Sequence, residues 1–242
     1  MGIKQICVIE TGHSPESLVD QYGSYPDMGI HLAKRCLSNM KYTTVSAVDG
    51  DTLPPAEEFD GYVIMGSEFS ALDAFPWMQD LTKLIKSAAA KHIPLMGICF
   101  GHQIMAQALG GRVEQTQWNV GQVCYNTSGE SYHTIAYHQD QVTVAPIDAS
   151  IVMTSVACPM AALRYSSFPG FSIQAHPEFS HNYMLELIEH TRHNPLSDEQ
   201  TTTALESMEG FERKNAPVYS AMRDIFQREA HNAGTESGPT RR

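Results

Sequence analysis

The sequence predicts an α/β protein with three layers, in which helices flank a central, mostly parallel sheet that carries a small antiparallel extension. In the first half of the chain, short apolar and β-branched runs alternate with helical patterns, as expected for parallel strands joined by crossover helices. Between residues 121 and 174 the pattern changes to short strands separated by turn residues, which indicates antiparallel pairing. Helical periodicity then returns near residue 182.

The first half of the chain alternates between predicted strands and helices. The clearest helix covers 77–90, because its apolar residues recur every three or four positions and form one stripe. The apolar run 94–98 is too short for a helix and is bounded by Pro and Gly, so we expect a buried central strand. The remaining predictions are strands over 5–10, 42–48 and 61–65, a turn at 25–27, and helices over 28–37 and 101–109.

The second half of the chain completes the predicted domain. Short strands are expected over 121–125, 141–144, 151–155 and 171–174, and helices over 182–192, 199–208 and 218–230. We expect one domain over 1–231, with a core over about 5–192 and C-terminal helices over about 199–230 docked onto it. The segment 232–242 is rich in small polar residues, which predicts a disordered tail.

Composition and charge exclude several classes of protein. The 242 residues are 42% hydrophobic and 18% charged, which is ordinary for a globular protein. The apolar runs are far shorter than the roughly 20 residues that span a bilayer, and the N-terminus lacks a signal-peptide pattern, so we expect a soluble, cytoplasmic protein with no membrane partner. The net charge of −11, without any run of Lys or Arg, argues against a nucleic-acid partner.

The five cysteines are widely spaced and form no C-x-x-C pair. This spacing predicts neither a disulfide framework nor a zinc site, and it suits a reducing compartment. We expect no metal and no cofactor. A cysteine in such a protein is either a packing residue or a reactive thiol, and only its local sequence distinguishes the two.

The segment 97–103 has the pattern of a nucleophile held on a sharp turn. Cys99 lies between the apolar run 94–98 and the helix predicted over 101–109, with Gly97 and Gly101 two positions away on either side. A strained strand-to-helix turn requires small residues at these positions. The N-terminus of the helix would also favour the thiolate. Cys99 is therefore the predicted nucleophile rather than a packing residue.

The segment 174–179 supplies a candidate base at the end of the last predicted strand. Residues two apart in an extended segment project to the same side, so Glu178 can reach one ring nitrogen of His176. Pro177 disfavours helical geometry at His176 and stiffens the turn. Such a carboxylate would fix the tautomer of the imidazole and stabilise the imidazolium, which lets His176 exchange a proton with the Cys99 thiol.

These two segments resemble the nucleophile and histidine-glutamate signatures of the class I, triad-type glutamine amidotransferases. Within this family the chain is similar to stand-alone proteins related to the glutaminase domain of GMP synthase, and the resemblance covers most of residues 6–188. It implies the flavodoxin-like fold of that family and a catalytic triad of Cys99, His176 and Glu178. Supporting blocks are Tyr22 and Gly23 with Met28, 66–70 followed by Pro76 and Trp77, 138–142, and Thr154 and Ser155 with Cys158 and Pro159.

The resemblance also implies an oxyanion hole. In this family it uses the backbone N–H after the nucleophile, here that of Phe100, and one from a glycine turn after a central strand, here Gly66 and Ser67. Two such donors stabilise the oxygen that becomes negative during acyl transfer. The chain departs from the family at this turn, because many relatives have Gly-Gly-Pro and Ser67 replaces the second glycine.

Further residues are implied as substrate contacts. Gln103, four residues after the nucleophile, resembles the family's substrate-contacting glutamine. Tyr137 and His138 lie in the segment that lines the glutamine pocket of relatives. For the segment 118–121, packing in the core or in a loop is favoured over a place in the pocket wall.

Four functions are compatible with these residues. The first is a glutaminase that forms a thioester on Cys99 and releases ammonia for a synthetase on a separate chain, since the amidotransferase-like domain occupies the 242 residues. The second is a hydrolase of γ-glutamyl peptides or amides with no ammonia acceptor. A non-catalytic binding protein and another α/β hydrolase with a cysteine on its turn remain as alternatives. The filled triad positions argue against the former, and the His-Pro-Glu segment argues against the latter.

Overall fold

A seven-stranded sheet forms the centre of the protein, and the computed structural model describes residues 4–212 and 215–227 of the chain. The strands of this sheet are β1 Lys4–Glu10, β2 Met40–Ser46, β3 Gly61–Ile64, β4 Leu95–Ile98, β7 Ala149–Met153, β8 Ala162–Tyr165 and β9 Gly170–Ile173. Their order in the sheet is β2–β1–β3–β4–β9–β8–β7. The five strands from β2 to β9 pair in parallel, whereas β8 pairs antiparallel with both β9 and β7.

Helices cover both faces of this sheet, which confirms the predicted three-layer α/β fold. The alternation of side chains along a strand sends successive residues to opposite faces. In β1, Ile6 and Val8 join one buried cluster, and Cys7 and Ile9 join another. The helices are α1 Glu16–Tyr22, α2 Tyr25–Lys34, α3 Pro76–Ala90, α4 Phe100–Ala108, α5 His181–His190, α6 Asp198–Ser207 and α7 Ala216–Phe226.

Different helices contribute residues to the two buried clusters. Residues of α2, α5 and α7 pack against the face that carries Ile6, and residues of α3 and α4 pack against the face that carries Cys7. Each fully buried aliphatic side chain stabilises the fold by about 1.5–3 kcal/mol relative to exposure. The carboxyl ends of β3, β4 and β9 are therefore held firmly beside one another between two packed layers.

A separate antiparallel hairpin forms the extension. It consists of β5, Arg112–Asn126, and β6, Ser131–Val144, which pair with each other, and Asn126 also forms an isolated bridge with Thr154. The predicted short strands 121–125 and 141–144 are fragments of these longer elements. Their length was missed because much of β5 is polar and exposed, and because its register shifts between Gln115 and Asn119.

Other local predictions were also incomplete. The predicted turn at 25–27 is the first turn of α2, which Ser24 caps in a reciprocal capping box with Asp27. Pro26 is tolerated there because N–H groups in the first turn of a helix have no intrahelical acceptor, so the missing N–H costs no hydrogen bond. Helix α1 and strand β8 were not predicted. Both are short, and Leu18 is the only buried residue of α1.

The C-terminal helices lie against the rest of the protein. Helix α6 contacts β5, and α7 contacts β9. Val218 and Phe226 of α7 belong to the same buried cluster as Ile6. The end of the helix predicted over 218–230, and the tail predicted over 232–242, fall outside the described residues. The single-domain organisation stays a prediction. No helix within 4–212 or 215–227 is long and apolar enough to cross a membrane.

Candidate active site

Cys99 lies on a sharp turn between β4 and α4. Its backbone has a φ of 52° and a ψ of −104°, a conformation that is rare for residues with a side chain and that commonly marks functional strain. The N–H of Cys99 donates to the carbonyl of Ile173 in the neighbouring strand β9, at 2.9 Å. Packing around the turn therefore holds the thiol at the junction of two parallel strands.

The two glycines that flank Cys99 are required by close backbone contacts. A Cβ on Gly97 would overlap the carbonyl of Gly101, and a Cβ on Gly101 would overlap the carbonyl of Ile64 in β3. The N–H of Gly101 also donates to the carbonyl of Met65 at 3.1 Å. The sequence pattern thus has the steric cause that was expected for a nucleophile turn.

The imidazole of His176 lies beside Cys99 and is oriented by Glu178. His176 Nδ1 is 2.7 Å from Glu178 Oε1, and both side chains are almost fully buried. The ring also stacks on Phe179, with 4.0 Å between ring centroids, and the N–H of His176 donates to the carbonyl of Ile135 at 2.8 Å. The ring is therefore fixed by its carboxylate partner, by stacking and by its own backbone.

The surroundings of His176 favour its protonated form. Burial lowers the pKa of His176, but the charges of Cys99 and Glu178, together with hydrogen bonds to both, outweigh burial and raise this pKa above its ordinary range. The side chain of Cys99 is thus close enough to the ring to exchange a proton with it. A histidine placed between a cysteine and a carboxylate is the arrangement that cysteine nucleophiles use.

The turn at 66–67 borders the same group. A Cβ on Gly66 would lie 3.1 Å from His176 Cε1 and 3.8 Å from Cys99 Cβ. Within the described residues, no hydrogen bond uses the amides of Gly66, Ser67 or Phe100. These three N–H groups are available to a ligand, and all three follow the carboxyl end of a central strand.

A hydrogen-bond network that we did not anticipate fixes this turn. The buried hydroxyl of Thr11 lies 3.0 Å from the carbonyl of Met65 and 2.9 Å from that of Gly66. Ser67 Oγ donates to the carbonyl of Thr11 at 2.6 Å and accepts from the N–H of Phe69 at 3.0 Å. Because the carbonyl of Gly66 and the N–H of Ser67 belong to one planar peptide, holding the carbonyl also fixes the N–H in the opposite direction.

A cavity of about 280 Å³ opens beside Cys99 and collects the residues that were expected to contact substrate. Its walls come from the turn after β3, the start of α4 and the β5–β6 hairpin. The lining residues are Ser67, Glu68, Phe69, Ser70, Cys99, Gln103, Gln115, Trp118, Tyr137, His138, Gln139, Asp140 and Pro195.

The three residues predicted to contact substrate all line this cavity. They differ in which of their polar groups are already engaged. Gln103 Nε2 donates to the carbonyl of Asp140 at 2.8 Å and to Gln174 Oε1 at 3.3 Å, so its donor is already engaged. The carbonyl of Tyr137 is 3.8 Å from Cys99 Sγ. Burial lowers the pKa of His138 to about 4, so this ring is neutral.

Hydrogen bonds fix the tautomer of His138. Its Nδ1 lies 3.0 Å from the carbonyl of Asp140, which can only accept, so Nδ1 carries the proton. Its Nε2 then accepts from Asn119 Nδ2 at 3.3 Å. His138 can shape the cavity but has no spare proton to donate to a ligand.

The sequence did not single out Gln174, which lies beside Cys99, or favour Trp118 as part of the cavity wall. Gln174 Nε2 points at Cys99 Sγ from 3.6 Å. Its position two residues before His176 in an extended segment was the available signal. Trp118, for which packing in the core or in a loop was favoured, lines the cavity and packs edge-on against Tyr137 with ring centroids 5.6 Å apart.

A group of metal-binding residue types lies outside this cavity. Glu10, His13 and Asp49 each offer a ligand atom, all within 4.8 Å of one another. His13 Nε2 is 3.0 Å from Asp49 Oδ1 and Nδ1 is 3.6 Å from Glu10 Oε1. Burial lowers the pKa of His13, but the hydrogen bond and charge of Asp49 outweigh it and raise this pKa. Each ring nitrogen of His13 thus already has a carboxylate neighbour.

Comparison with known proteins shows the family to which the chain belongs. The profile of the family described as Glutamine amidotransferase class-I matches residues 17–191, which contain Cys99, His176 and Glu178. The chain belongs to the class I glutamine amidotransferase family. This confirms the resemblance found in the sequence, and the mostly parallel sheet with its antiparallel hairpin is the fold of this family.

The names of relatives in this family describe two different activities. A glutamine-hydrolyzing GMP synthase subunit from Halobacterium salinarum is 27% identical over 180 residues, 68% of this chain and 88% of that protein. Gamma-glutamyl peptidase 2 from Arabidopsis thaliana is 23% identical over 228 residues, 87% of this chain and 90% of that protein. The crystal structure of a glutamine amido transferase from Methylobacillus flagellatus matches with a TM-score of 0.73 at 19% identity, covering 97% of this chain and 100% of that one.

Proposed function

We propose that this protein hydrolyses the γ-glutamyl C–N bond of glutamine through a thioester on Cys99 and releases ammonia for a separate acceptor enzyme. The observation that carries the proposal is the group of Cys99, His176 and Glu178 beside an open cavity, with His176 held at 2.7 Å from Glu178. The family membership and the glutamine-hydrolyzing relative support it.

The first half of the reaction follows from the ion pair. The thiolate of Cys99 attacks the side-chain carbonyl carbon of glutamine, and the carbonyl oxygen becomes negative. The tetrahedral intermediate collapses with cleavage of the C–N bond, while the imidazolium of His176 donates its proton to the leaving nitrogen. Ammonia leaves and a γ-glutamyl thioester remains on Cys99. Glu178 stabilises the imidazolium until this proton is transferred.

The negative oxygen requires preorganised donors. The free N–H of Phe100 lies at the start of α4, and the free N–H of Ser67 lies on the turn that borders His176 and Cys99. We assign these two groups as the oxyanion hole, with Gly66 required for the close approach of the turn to His176. Each such donor typically contributes about 10²–10³ to kcat, because it meets charge where charge develops.

The second half regenerates the enzyme. Water enters the position that ammonia vacated and attacks the thioester, while the now neutral His176 accepts its proton. Cleavage of the C–S bond releases glutamate and restores the thiolate. Gln174 Nε2, at 3.6 Å from Cys99 Sγ, can donate to the sulfur in both halves of the cycle and stabilise it as an anion.

A second candidate is hydrolysis of γ-glutamyl peptides or amides by the same groups, with no ammonia acceptor. It is favoured by the length of the match to the γ-glutamyl peptidase, which extends over 87% of this chain compared with 68% for the GMP synthase subunit. In that case the leaving nitrogen belongs to a larger amine that must occupy the cavity beside Cys99.

Steady-state kinetics on purified protein test both candidates. The comparison is between glutamine and a γ-glutamyl dipeptide, with glutamate release followed in both cases, and with the Cys99→Ala variant as the control. A higher kcat/KM on glutamine supports the first candidate, and a much higher value on the dipeptide supports the second. Turnover of neither substrate, or full activity in Cys99→Ala, would overturn the proposed mechanism.

A further inference from the structure

We propose that Gln103 is a positioning residue, which orients the amide of Gln174 so that Gln174 Nε2 donates a hydrogen bond to the sulfur of Cys99. Gln174 is then a catalytic residue, because it touches the reacting atom, and Gln103 acts through it. This inference rests on the proposed function, because it specifies how the thiolate of that reaction is stabilised. It also changes the role of Gln103, for which the resemblance to the family implied a substrate contact.

The chain of hydrogen bonds begins at a backbone carbonyl of the β5–β6 hairpin. The carbonyl of Asp140 accepts from Gln103 Nε2 at 2.8 Å and from His138 Nδ1 at 3.0 Å. The side chain of Asp140 also accepts a hydrogen bond from Ser70 Oγ, which holds this residue against the turn after β3. Because a carbonyl oxygen can only accept, the amide nitrogen of Gln103, rather than its oxygen, must face Asp140.

The orientation of Gln103 determines that of Gln174. Gln103 Nε2 also lies 3.3 Å from one end of the Gln174 amide. This end must be the oxygen, since an amide nitrogen cannot accept a hydrogen bond. The other end of the amide, Nε2, therefore lies toward Cys99 Sγ, at 3.6 Å. The direction of every bond in this chain thus follows from one carbonyl in the hairpin, and the last bond places an N–H against the sulfur.

Burial makes the reversed orientation of the Gln174 amide costly. Gln174 is completely buried and Gln103 is only 4% exposed. Water therefore cannot replace the hydrogen bonds that a reversed Gln174 amide would lose, and a buried polar group without a partner is destabilising. The reversed amide would also place its oxygen, with a partial negative charge, against the thiolate. The observed orientation is the one that suits an anionic sulfur.

The same bonds leave Gln103 few groups for a substrate. A glutamine amide has two N–H donors, and those of Gln103 point at the carbonyl of Asp140 and at Gln174 Oε1. Any contact with substrate would therefore use the oxygen of Gln103 as an acceptor. The two roles make different predictions. A substrate contact that is equally strong in the transition state changes KM, whereas a residue that acts on the thiolate changes the reactivity of Cys99 even without substrate.

Alkylation of Cys99 by iodoacetamide, followed by peptide mass spectrometry over a range of pH, tests this role without substrate. Gln103→Met removes the amide but keeps a side chain of similar length. We expect the midpoint of the pH–rate profile for Cys99 to move to higher pH, and the rate below that midpoint to fall by about three- to tenfold. The reason is that Gln174 is no longer held with its N–H toward the thiolate. Gln174→Met should move the profile in the same direction.

A double variant and a matched control locate the cause of this change. If Gln103 acts only through Gln174, the variant that carries both Met substitutions should match Gln174→Met alone in Cys99 reactivity and in kcat. Gln107→Met should behave as the wild type, because Gln107 lies one turn further along α4 and is exposed.

Steady-state kinetics and a second variant complete the test. With glutamine or the γ-glutamyl dipeptide, Gln103→Met should lower kcat by about tenfold and leave KM within about a factor of three. Circular dichroism and denaturant titration check that each variant is folded. Gln103→Glu keeps the shape of the side chain but has no N–H when ionised, so it should move the alkylation profile in the same direction as Gln103→Met.

The outcomes separate this inference from the proposed function. An unmoved pH–rate profile in folded Gln103→Met, or a rise in KM with unchanged kcat, would overturn the inference and leave the γ-glutamyl hydrolase intact. Effects that multiply in the double variant would show two independent roles and would also overturn it. If the wild type hydrolyses neither glutamine nor the γ-glutamyl dipeptide, the proposed function fails, and the alkylation profiles still decide whether Gln103 acts on Cys99 through Gln174.

Discussion

The two walls of the cavity are built in different ways. One wall follows the carboxyl ends of β3, β4 and β9, where neighbouring parallel strands hold Gly66, Cys99 and His176 side by side. The other wall belongs to the β5–β6 hairpin, which forms a separate two-stranded sheet and changes register between Gln115 and Asn119. The groups proposed for bond cleavage occupy the rigid wall, and most of those expected to contact substrate occupy the irregular one.

This difference suggests how one family supports several substrates. We call the wall at the carboxyl ends of the strands the sheet wall and the other the hairpin wall. In the sheet wall, backbone contacts such as those of Gly97 and Gly101 leave no room for larger side chains. The hairpin wall depends on side-chain packing, such as that of Trp118 on Tyr137, which can change without disturbing the sheet. Substitutions in the sheet wall should therefore act on kcat, and substitutions in the hairpin wall should act on KM and on substrate preference.

The largest effect is expected from Glu178→Gln in the sheet wall. We expect kcat to fall by about two to four orders of magnitude, because loss of the carboxylate disturbs both the tautomer and the charge of His176. The free energy of unfolding should change little, because the replacement has nearly the same shape. Steady-state kinetics and denaturant titration measure both quantities. A rate close to that of the wild type would contradict the role of Glu178.

The same variant should alter the pH profile in a defined direction. The charge of Glu178 raises the pKa of His176, so its removal lowers this pKa. His176 must be protonated to donate to the leaving nitrogen, and this form is lost as the pH rises through its pKa. The high-pH limb of kcat/KM in Glu178→Gln should therefore lie at lower pH than in the wild type. An unmoved limb would show that His176 is not the group that titrates.

A smaller effect is expected from Thr11→Val, which removes a hydroxyl behind the oxyanion turn. The carbonyl of Gly66 would lose the donor that fixes the adjacent N–H of Ser67. We expect kcat to fall by about ten- to a hundredfold with little change in KM, because the donor acts on the transition state. Thr11→Ser keeps the hydroxyl and should retain most of the activity. Equal kcat values for the Val variant and the wild type would rule out this positioning role.

The smallest effect is expected from Trp118→Ala in the hairpin wall. Removing the indole opens the cavity but leaves Cys99, His176 and Glu178 in place, so kcat should stay within about a factor of three while KM rises several-fold. Steady-state kinetics measure kcat and KM of both proteins, with whichever of glutamine and the γ-glutamyl dipeptide has the higher kcat/KM in the wild type. A large loss of kcat with unchanged KM would contradict the division of labour between the two walls.

The sequence carried more information about the sheet wall than about the hairpin wall. Gly97 and Gly101 around Cys99, and Pro177 between His176 and Glu178, are local signals with direct steric causes, so the nucleophile turn and its base could be predicted. The hairpin gave no comparable signal, because β5 is polar and irregular, and the place of Trp118 in the cavity was misjudged. Thr11 could not be predicted at all, since its role depends on a turn more than fifty residues away.

The remaining cysteines provide an internal control for the assignment of the nucleophile. Burial raises the pKa of the Cys7 and Cys158 thiols to about 12 and that of Cys36 to about 11. These thiols stay protonated and unreactive near neutral pH. Cys124 is exposed, so ordinary alkylating reagents can reach it. A reagent that resembles glutamine distinguishes a reactive site from an accessible one.

Labelling with an alkylating analogue of glutamine, followed by peptide mass spectrometry, tests the nucleophile itself. We predict one modification per chain, on Cys99, with a rate that falls when glutamine is added and with no labelling in Cys99→Ala. His176→Ala should slow the labelling strongly, because the thiolate loses its ion-pair partner. Modification of Cys124 or Cys158 in preference to Cys99, or labelling that glutamine does not slow, would contradict the claim that Cys99 is the nucleophile of a γ-glutamyl hydrolase.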